Sequence, residues 1–231
     1  MWNGKMKAVT FSFDDGVKQD IRTIEILDKY GLKGTFNLNS AKLGTLNSYE
    51  VNGKSVRRDM VEAHCVKEVY RNHEVASHTL CHPNLTELSD QTVVRQVEED
   101  RKALESLVGY PVRGMAYPCG GINNDDRVAG LIEKNTPIRF ARTITSTYGF
   151  DLQQNLLRFN PTVHFAEVDK LFALAKSFIE VKPDKPRLFY IWGHTYEMDA
   201  GHITWERFEK FCELISKRED IFYGTNSEVL L

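Results

Sequence analysis

The chain has 231 residues, with 30 Lys plus Arg against 32 Asp plus Glu and a formal net charge of −2. That length suits one large α/β domain with its own core, and the charge balance excludes phosphate-driven nucleic-acid binding and a polybasic membrane anchor. With 42% hydrophobic and 27% charged residues, wholesale disorder is excluded as well. No stretch reaches the roughly 18–20 apolar residues of a membrane span. The start, Met1 to Lys7, carries no apolar run. The chain as it stands is therefore expected to be cytoplasmic, and secreted if a leader has been removed. The cysteines Cys65, Cys81, Cys119 and Cys212 form no CxxC pair and are expected as reduced thiols.

Strand-like and helix-like segments alternate along the chain. Lys7–Asp14 is β-branched and aromatic and predicts a strand. Asp20–Tyr30 has apolar residues at helical spacing, with Gly31 as its C-cap. Gly34–Leu38 is a second strand. Residues 41–57 hold Gly44, Asn47, Asn52 and Gly53 and predict a surface excursion or small hairpin. Asp59 is expected to cap a helix running to about Arg71. Glu74–His78 is a short strand. The longest helix runs from Ser89 to about Val108, with an apolar stripe of Val93, Val97 and Leu104, and Gly109 and Pro111 stop it. Within it, residues 98–102 (Glu-Glu-Asp-Arg-Lys) read as a solvated charged face. Strands follow at 113–117, 139–144, 188–192 and 221–223, and helices at 125–134, 168–180 and 205–218. Repeated βα units predict a parallel sheet covered by helices. The expected fold is α/β, a distorted (β/α)7-8 barrel filling residues 1–231 as a single domain, with an open doubly wound sheet as the alternative.

In such folds the reactive groups sit at the C-terminal ends of strands. Asp14-Asp15-Gly16 closes the first strand, and a turn at Gly16 can bring both carboxylates to one cavity. Taken alone, it also fits a solvated turn with Asp15 capping the next helix. His78 and His82 stand four residues apart with Pro83 following, so a loop is expected. Two imidazoles and one carboxylate can chelate zinc and leave a coordination position open. Cys81, beside the second histidine, is poorly placed to reach the same ion. Trp192-Gly193-His194 leaves the apolar strand, and a histidine there is a candidate general acid, because its ordinary pKa lies near neutrality. His64, His73, His164 and His202 show no partner motif; His64 reads as helix surface and His202 as loop.

The ordered set Thr10–Gly16, His78–His82, Tyr117-Pro118-Cys119-Gly120 and Leu188–His194 resembles the polysaccharide deacetylases of the NodB-homology group, carbohydrate esterase family 4. The resemblance spans nearly the whole chain. It implies a metal-dependent hydrolase that removes N- or O-linked acetyl groups from an oligo- or polysaccharide, acting on an amide C–N bond or an acetyl ester. It further implies Asp14 as catalytic base, Asp15, His78 and His82 as ligands of a divalent metal (Zn²⁺ first, then Co²⁺, Ni²⁺ or Mn²⁺), and His194 as general acid. Tyr117, Pro118 and Cys119 would line the groove, with the Cys119 backbone N–H at the oxyanion.

The chain departs from the family pattern twice. The arginine expected two positions before Pro118 is Ala116, and Arg142 is assigned as the substitute cation for Asp14. The family's Asp-Trp motif is not visible; Trp192 or Trp205 is expected to supply the apolar wall, and no tuning carboxylate is assigned. Two alternatives stand beside this reading: hydrolysis of a small non-carbohydrate amide on the same barrel, and a non-catalytic sugar-binding relative.

Overall fold

The computed structural model describes residues 1–51 and 53–231. Asn52, one residue on which the 41–57 excursion was read, lies outside the described residues. The strands are β1 (Lys7–Asp15), β2 (Gly34–Leu38), β3 (Ser48–Val51), β4 (Lys54–Arg57), β5 (Glu74–Ser77), β6 (Gly114–Ala116), β7 (Phe140–Arg142), β8 (Val163–His164), β9 (Arg187–Gly193) and β10 (Ile221–Tyr223). The helices are α1 (Gln19–Tyr30), α2 (Val66–Val69), α3 (Asp90–Val108), α4 (Asp126–Asn135), α5 (Val168–Glu180), α6 (Glu197–Ala200), α7 (Trp205–Ile215) and α8 (Asn226–Leu230).

Every residue of β1 is buried, as expected for a strand covered on both faces. It lies in the interior of a parallel sheet ordered β7-β6-β5-β2-β1-β9-β8. β9 takes one edge of β1 over residues 7–13, while β10 and β2 share the other, β10 beside residues 7–9 and β2 beside 11–15. The sheet curls into a half-barrel, and one short segment touches both of its ends. Phe159 N–H donates to the Ala141 carbonyl (3.0 Å) and Phe159 O accepts from Thr143 N–H (2.9 Å). A few residues on, Val163 and His164 pair with Ile191 and Trp192 of β9. Helices cover the outer face through a core that includes Phe11, Phe13, Phe36, Phe208 and Phe211.

Local signals explain most element ends. Gly31 and Gly109 end α1 and α3 in the left-handed conformation, and β3 pairs antiparallel with β4. Three expectations fail. Asp59 caps no helix: its carboxylate binds Arg57 and the Asn47 N–H, and a 3₁₀ turn at Ala63–Cys65 leading into the single turn of α2 follows. The charged face of α3 is not uniformly solvated. Asp100 is fully buried, accepting hydrogen bonds from Ser40 N–H (2.6 Å) and the Ser77 hydroxyl (2.6 Å), and Arg101 is also buried. Nor does Asp15 cap α1: the N-cap position is Lys18, and Asp15 itself is buried. No helix among the described residues is long and apolar enough to cross a membrane.

Candidate active site

The C-terminal strand ends converge on a cavity of about 260 Å³ lined by Asp14, Asp15, Arg58, His78, His82, Tyr117, Cys119, Gly120, Ile144, Trp192, His194 and Tyr196. Of the residues singled out from sequence, Pro118 and Trp205 are not among those lining it. Arg142 stands behind Asp14, outside the lining.

Backbone conformation aims the side chains. Asp15 has φ +83° and Gly16 φ +75°, so consecutive left-handed residues break the strand alternation and put both carboxylates on the cavity. A Cβ at Gly16 would meet Leu38 Cδ2 at 2.6 Å; neither the conformation nor the space accepts a side chain. Thr79 (+67°), His82 (+66°) and Cys119 (+70°) are left-handed as well. Such conformations are strained for non-glycine residues and cluster where the surrounding fold over-determines them. The His78 loop is pinned by Asn39, whose amide donates to the carbonyls of His78 and Thr79. At the end of β9, a Cβ on Gly193 would stand 2.4 Å from the Phe165 ring. The strand can therefore pass close to that ring only as glycine before releasing His194.

Asp15, His78 and His82 bring their ligand-type atoms within 4.8 Å of one another. Nε2 of His78 lies 3.8 Å, and Nε2 of His82 3.5 Å, from Asp15 Oδ1. His78 Nδ1–H donates to the Ala116 carbonyl at 2.8 Å, which leaves the Nε2 lone pair free. A backbone carbonyl holding the far nitrogen is the usual support of a metal-binding histidine. Asp15 Oδ1 is buried with no hydrogen-bond partner among the described residues. Its other oxygen accepts from Arg58 Nη2 at 2.5 Å. Burial opposes ionisation of Asp15, but His194, His78, Arg58 and His82 outweigh it and hold its pKa well below the ordinary carboxylate range. Burial lowers the His82 pKa to about 4, keeping the ring neutral near pH 7. Two imidazoles with an ionised carboxylate are a donor set that fits a divalent cation.

Asp14 is built differently. The Arg142 guanidinium binds both of its oxygens, with Nη2 at 2.6 Å from Oδ1. Asn37 Nδ2 donates to Oδ1 at 2.9 Å. Arg142 is fixed in turn by Ser12 Oγ (3.2 Å) and the Thr143 carbonyl (3.0 Å), and its guanidinium stacks 4.3 Å from the Trp192 ring centre. Burial would push the Asp14 carboxyl up; Arg142, then the rings of His78 and His194, outweigh it and keep the pKa below the ordinary value. On the opposite side of β1, burial works against a charged His194 ring, but the carboxylates of Glu197, Asp15 and Asp14 raise its pKa to about 9.

Arg58, Glu197 and His164 were not singled out from sequence. Arg58 follows the β3–β4 hairpin and lies between the rings of Tyr196 (4.2 Å) and Tyr49 (5.4 Å); nothing in its local pattern marks it. Glu197 stands three residues after His194, a spacing that reads as a signal once His194 is suspected. His164 belongs to a two-residue strand, too short to show a period.

The fold is a curled α/β half-barrel with acidic and imidazole side chains gathered at its strand ends. The chain belongs to the polysaccharide deacetylase family, whose model matches residues 3–134. Over 119 residues it is 30% identical to peptidoglycan-N-acetylglucosamine deacetylase PgdA of Listeria monocytogenes, a match spanning 51% of this chain and 22% of that protein. The chain thus spans about a fifth of the curated relatives it matches. Among solved structures, it superposes on the Xyl-CE4 domain of a multidomain xylanase from the hindgut metagenome of Trinervitermes trinervoides with a TM-score of 0.61 at 19% identity, covering 96% of this chain and 89% of that one. A carbohydrate esterase family 4 pseudoenzyme from Bacillus anthracis matches with a TM-score of 0.53 at 20% identity, over 100% and 67% of the two chains. These likenesses fix the fold, the curled half-barrel, as that of the family 4 deacetylases.

Proposed function

We propose that the protein is a metal-dependent deacetylase that hydrolyses an N- or O-linked acetyl group on an oligo- or polysaccharide. The observation that carries this reading is Asp15 Oδ1: a buried carboxylate oxygen without a hydrogen-bond partner, facing Nε2 of both His78 and His82. Buried anionic oxygens are costly unless paired, and these three residues would hold a divalent cation, zinc by donor type. The chemistry such an ion supplies is polarisation of the acetyl carbonyl and a bound-water pKa lowered from ~15.7 toward ~7.

The remaining steps fall to side chains of this chain. Asp14, held ionised by Arg142, takes the proton from the attacking water. The Cys119 N–H is assigned to the tetrahedral oxyanion; one such donor is typically worth ~3–4 kcal/mol. His194, charged at neutral pH, gives its proton to the departing sugar amine or hydroxyl as the C–N or C–O bond breaks. Acetate leaves with the oxygen from water. Trp192 serves twice, as a cavity wall and as the face on which Arg142 is stacked.

The fold alone does not decide activity, since a pseudoenzyme shares it. The test is acetate release from a panel of acetylated glycans, with metal analysis of the same sample. Release abolished by chelator and restored by Zn²⁺ is expected. No acetate from any acetylated sugar, despite a stoichiometric metal, would overturn the assignment.

A further inference from the structure

His164, His194 and Glu197 form a second knot of ligand-type atoms, all within 4.8 Å of one another. Its hydrogen bonds give it a different use. The Ala166 N–H donates to His164 Nδ1 at 3.2 Å, so Nδ1 presents a lone pair and the neutral ring carries its proton on Nε2. Burial lowers the His164 pKa and keeps that ring neutral. Its Nε2 stands 3.3 Å from Glu197 Oε2, and in this tautomer that nitrogen carries the proton and offers no lone pair to an ion. The same oxygen accepts the backbone N–H of His194 at 3.0 Å. The second oxygen, Oε1, lies 3.7 Å from His194 Nδ1 and 3.7 Å from His202 Nδ1. The His194 contact is an ion pair longer than a hydrogen bond, and Nδ1 has no hydrogen-bond partner among the described residues. Around it, the Trp192 ring stands edge-on to His164 at 4.4 Å, and the Tyr196 ring lies 5.1 Å from His194.

We propose that Glu197, braced by His164, is a positioning residue that orients the His194 ring and holds it in its proton-carrying form. The proposal rests on the assignment of His194 as proton donor. It supplies the carboxylate that the missing Asp-Trp motif left unassigned, from a point three residues beyond the acid itself. Because the His194 backbone N–H binds Oε2 and His164 Nε2 stands 3.3 Å from the same oxygen, the carboxylate is held with Oε1 toward His194 Nδ1. The geometry thus separates two jobs, one oxygen fixing the loop backbone and the other facing the ring. The charged and titratable groups facing His194 are Asp14 and Asp15 from β1, Arg58, His78 and His82 across the cavity, His164 from β8, and Tyr196, Glu197 and His202 on its own side.

The test is an NMR titration of the His194 ring in the ¹⁵N-histidine-labelled full chain, alongside acetate-release kinetics. In the wild type the ring is expected to titrate above the ordinary histidine value, with the Glu197 carboxylate facing it. Glu197→Gln retains an amide oxygen for the His194 N–H, so the loop is preserved while the charge is lost. Its midpoint is expected to fall by at least about one unit, a tenfold loss of proton affinity, with kcat reduced and KM little changed. Glu197→Asp keeps the charge and should keep most of the raised midpoint. His164→Gln retains an N–H donor and should resemble the wild type. An unchanged midpoint in Glu197→Gln, or equal falls in the Gln and Asp variants, would overturn the proposal. Because the ring titration needs no turnover, failure of the deacetylase assignment would appear separately, as absent acetate with an intact titration shift.

Discussion

The cavity has two histidine–carboxylate clusters of almost the same composition, and the backbone assigns them opposite chemistries. In Asp15–His78–His82, a carbonyl oxygen receives the His78 Nδ1–H and leaves Nε2 as an acceptor. In His164–His194–Glu197, a peptide N–H donates to His164 Nδ1 and makes Nε2 the donor. One main-chain group beside each ring therefore decides whether the outward nitrogen offers a lone pair to a cation or a proton to a carboxylate. The carboxylates follow suit. Asp15 keeps a buried oxygen without a hydrogen bond, whereas Glu197 Oε2 accepts the His194 N–H and lies 3.3 Å from His164 Nε2. Both clusters bring ligand-type residues together; the hydrogen bond from neighbouring main chain to one ring in each is what tells them apart.

Substitutions can break this contrast. The largest effect is expected at Asp14, which stands between the two clusters. Asp14→Asn should lower kcat for acetate release by about 10²–10⁴, the usual worth of a general base, while leaving bound metal stoichiometric by elemental analysis. Next comes a paired comparison. His82→Ala should lose both metal and activity, and His164→Ala should keep its metal; loss of metal from the second variant would erase the distinction between the clusters. Arg142→Ala should destabilise the fold by about 3–5 kcal/mol at neutral pH, because it leaves a buried carboxylate unpaired, measurable by urea denaturation.

The sign of the accompanying pH effect follows from the direction of the Asp14 shift. With its folded pKa below the unfolded value, Asp14 contributes stability above the unfolded pKa, lost as pH falls through the folded one. Removing Arg142 raises the folded pKa, so the acid limb of the rate profile should move to higher pH and the stability gap to wild type should narrow in acid. The smallest effect is expected at Cys81, whose thiol bonds Gln96 rather than the ligand cluster. Cys81→Ser should keep metal content and activity, with stability within about 0.5 kcal/mol.

The sheet was legible because its strands are buried and β-branched or aromatic, so runs such as Lys7–Asp15 and Arg187–Gly193 stand out without context. Helix α5 was read at its observed bounds, because its apolar spacing runs the full length of the element. β8 and α6 were too short to leave a period. The Asp59 reading failed because an arginine two residues upstream competes for the capping carboxylate. Within the site, the side chains that leave strand ends, Asp14, Asp15, His78 and His194, were visible by position. Arg142 was reached by asking which cation could replace an absent one, and the structure places it against Asp14. Arg58, His164 and Glu197 were invisible because what matters about them is which hydrogen bond reaches which atom, and that is set only when distant segments meet.

The segment from Phe159 to His164 touches β7 at one end and β9 at the other. The supports of Asp14 and of Glu197 are therefore linked by a tether of a few residues. Arg142, which clamps Asp14, is on the strand it meets first, and His164, which braces Glu197, is its last residue. A one-residue insertion there would shift both supports at once, while the pairing of Phe13 with Gly193 would keep Asp14 and His194 side by side. For chain-length variation, this short run is the gauge of the active site.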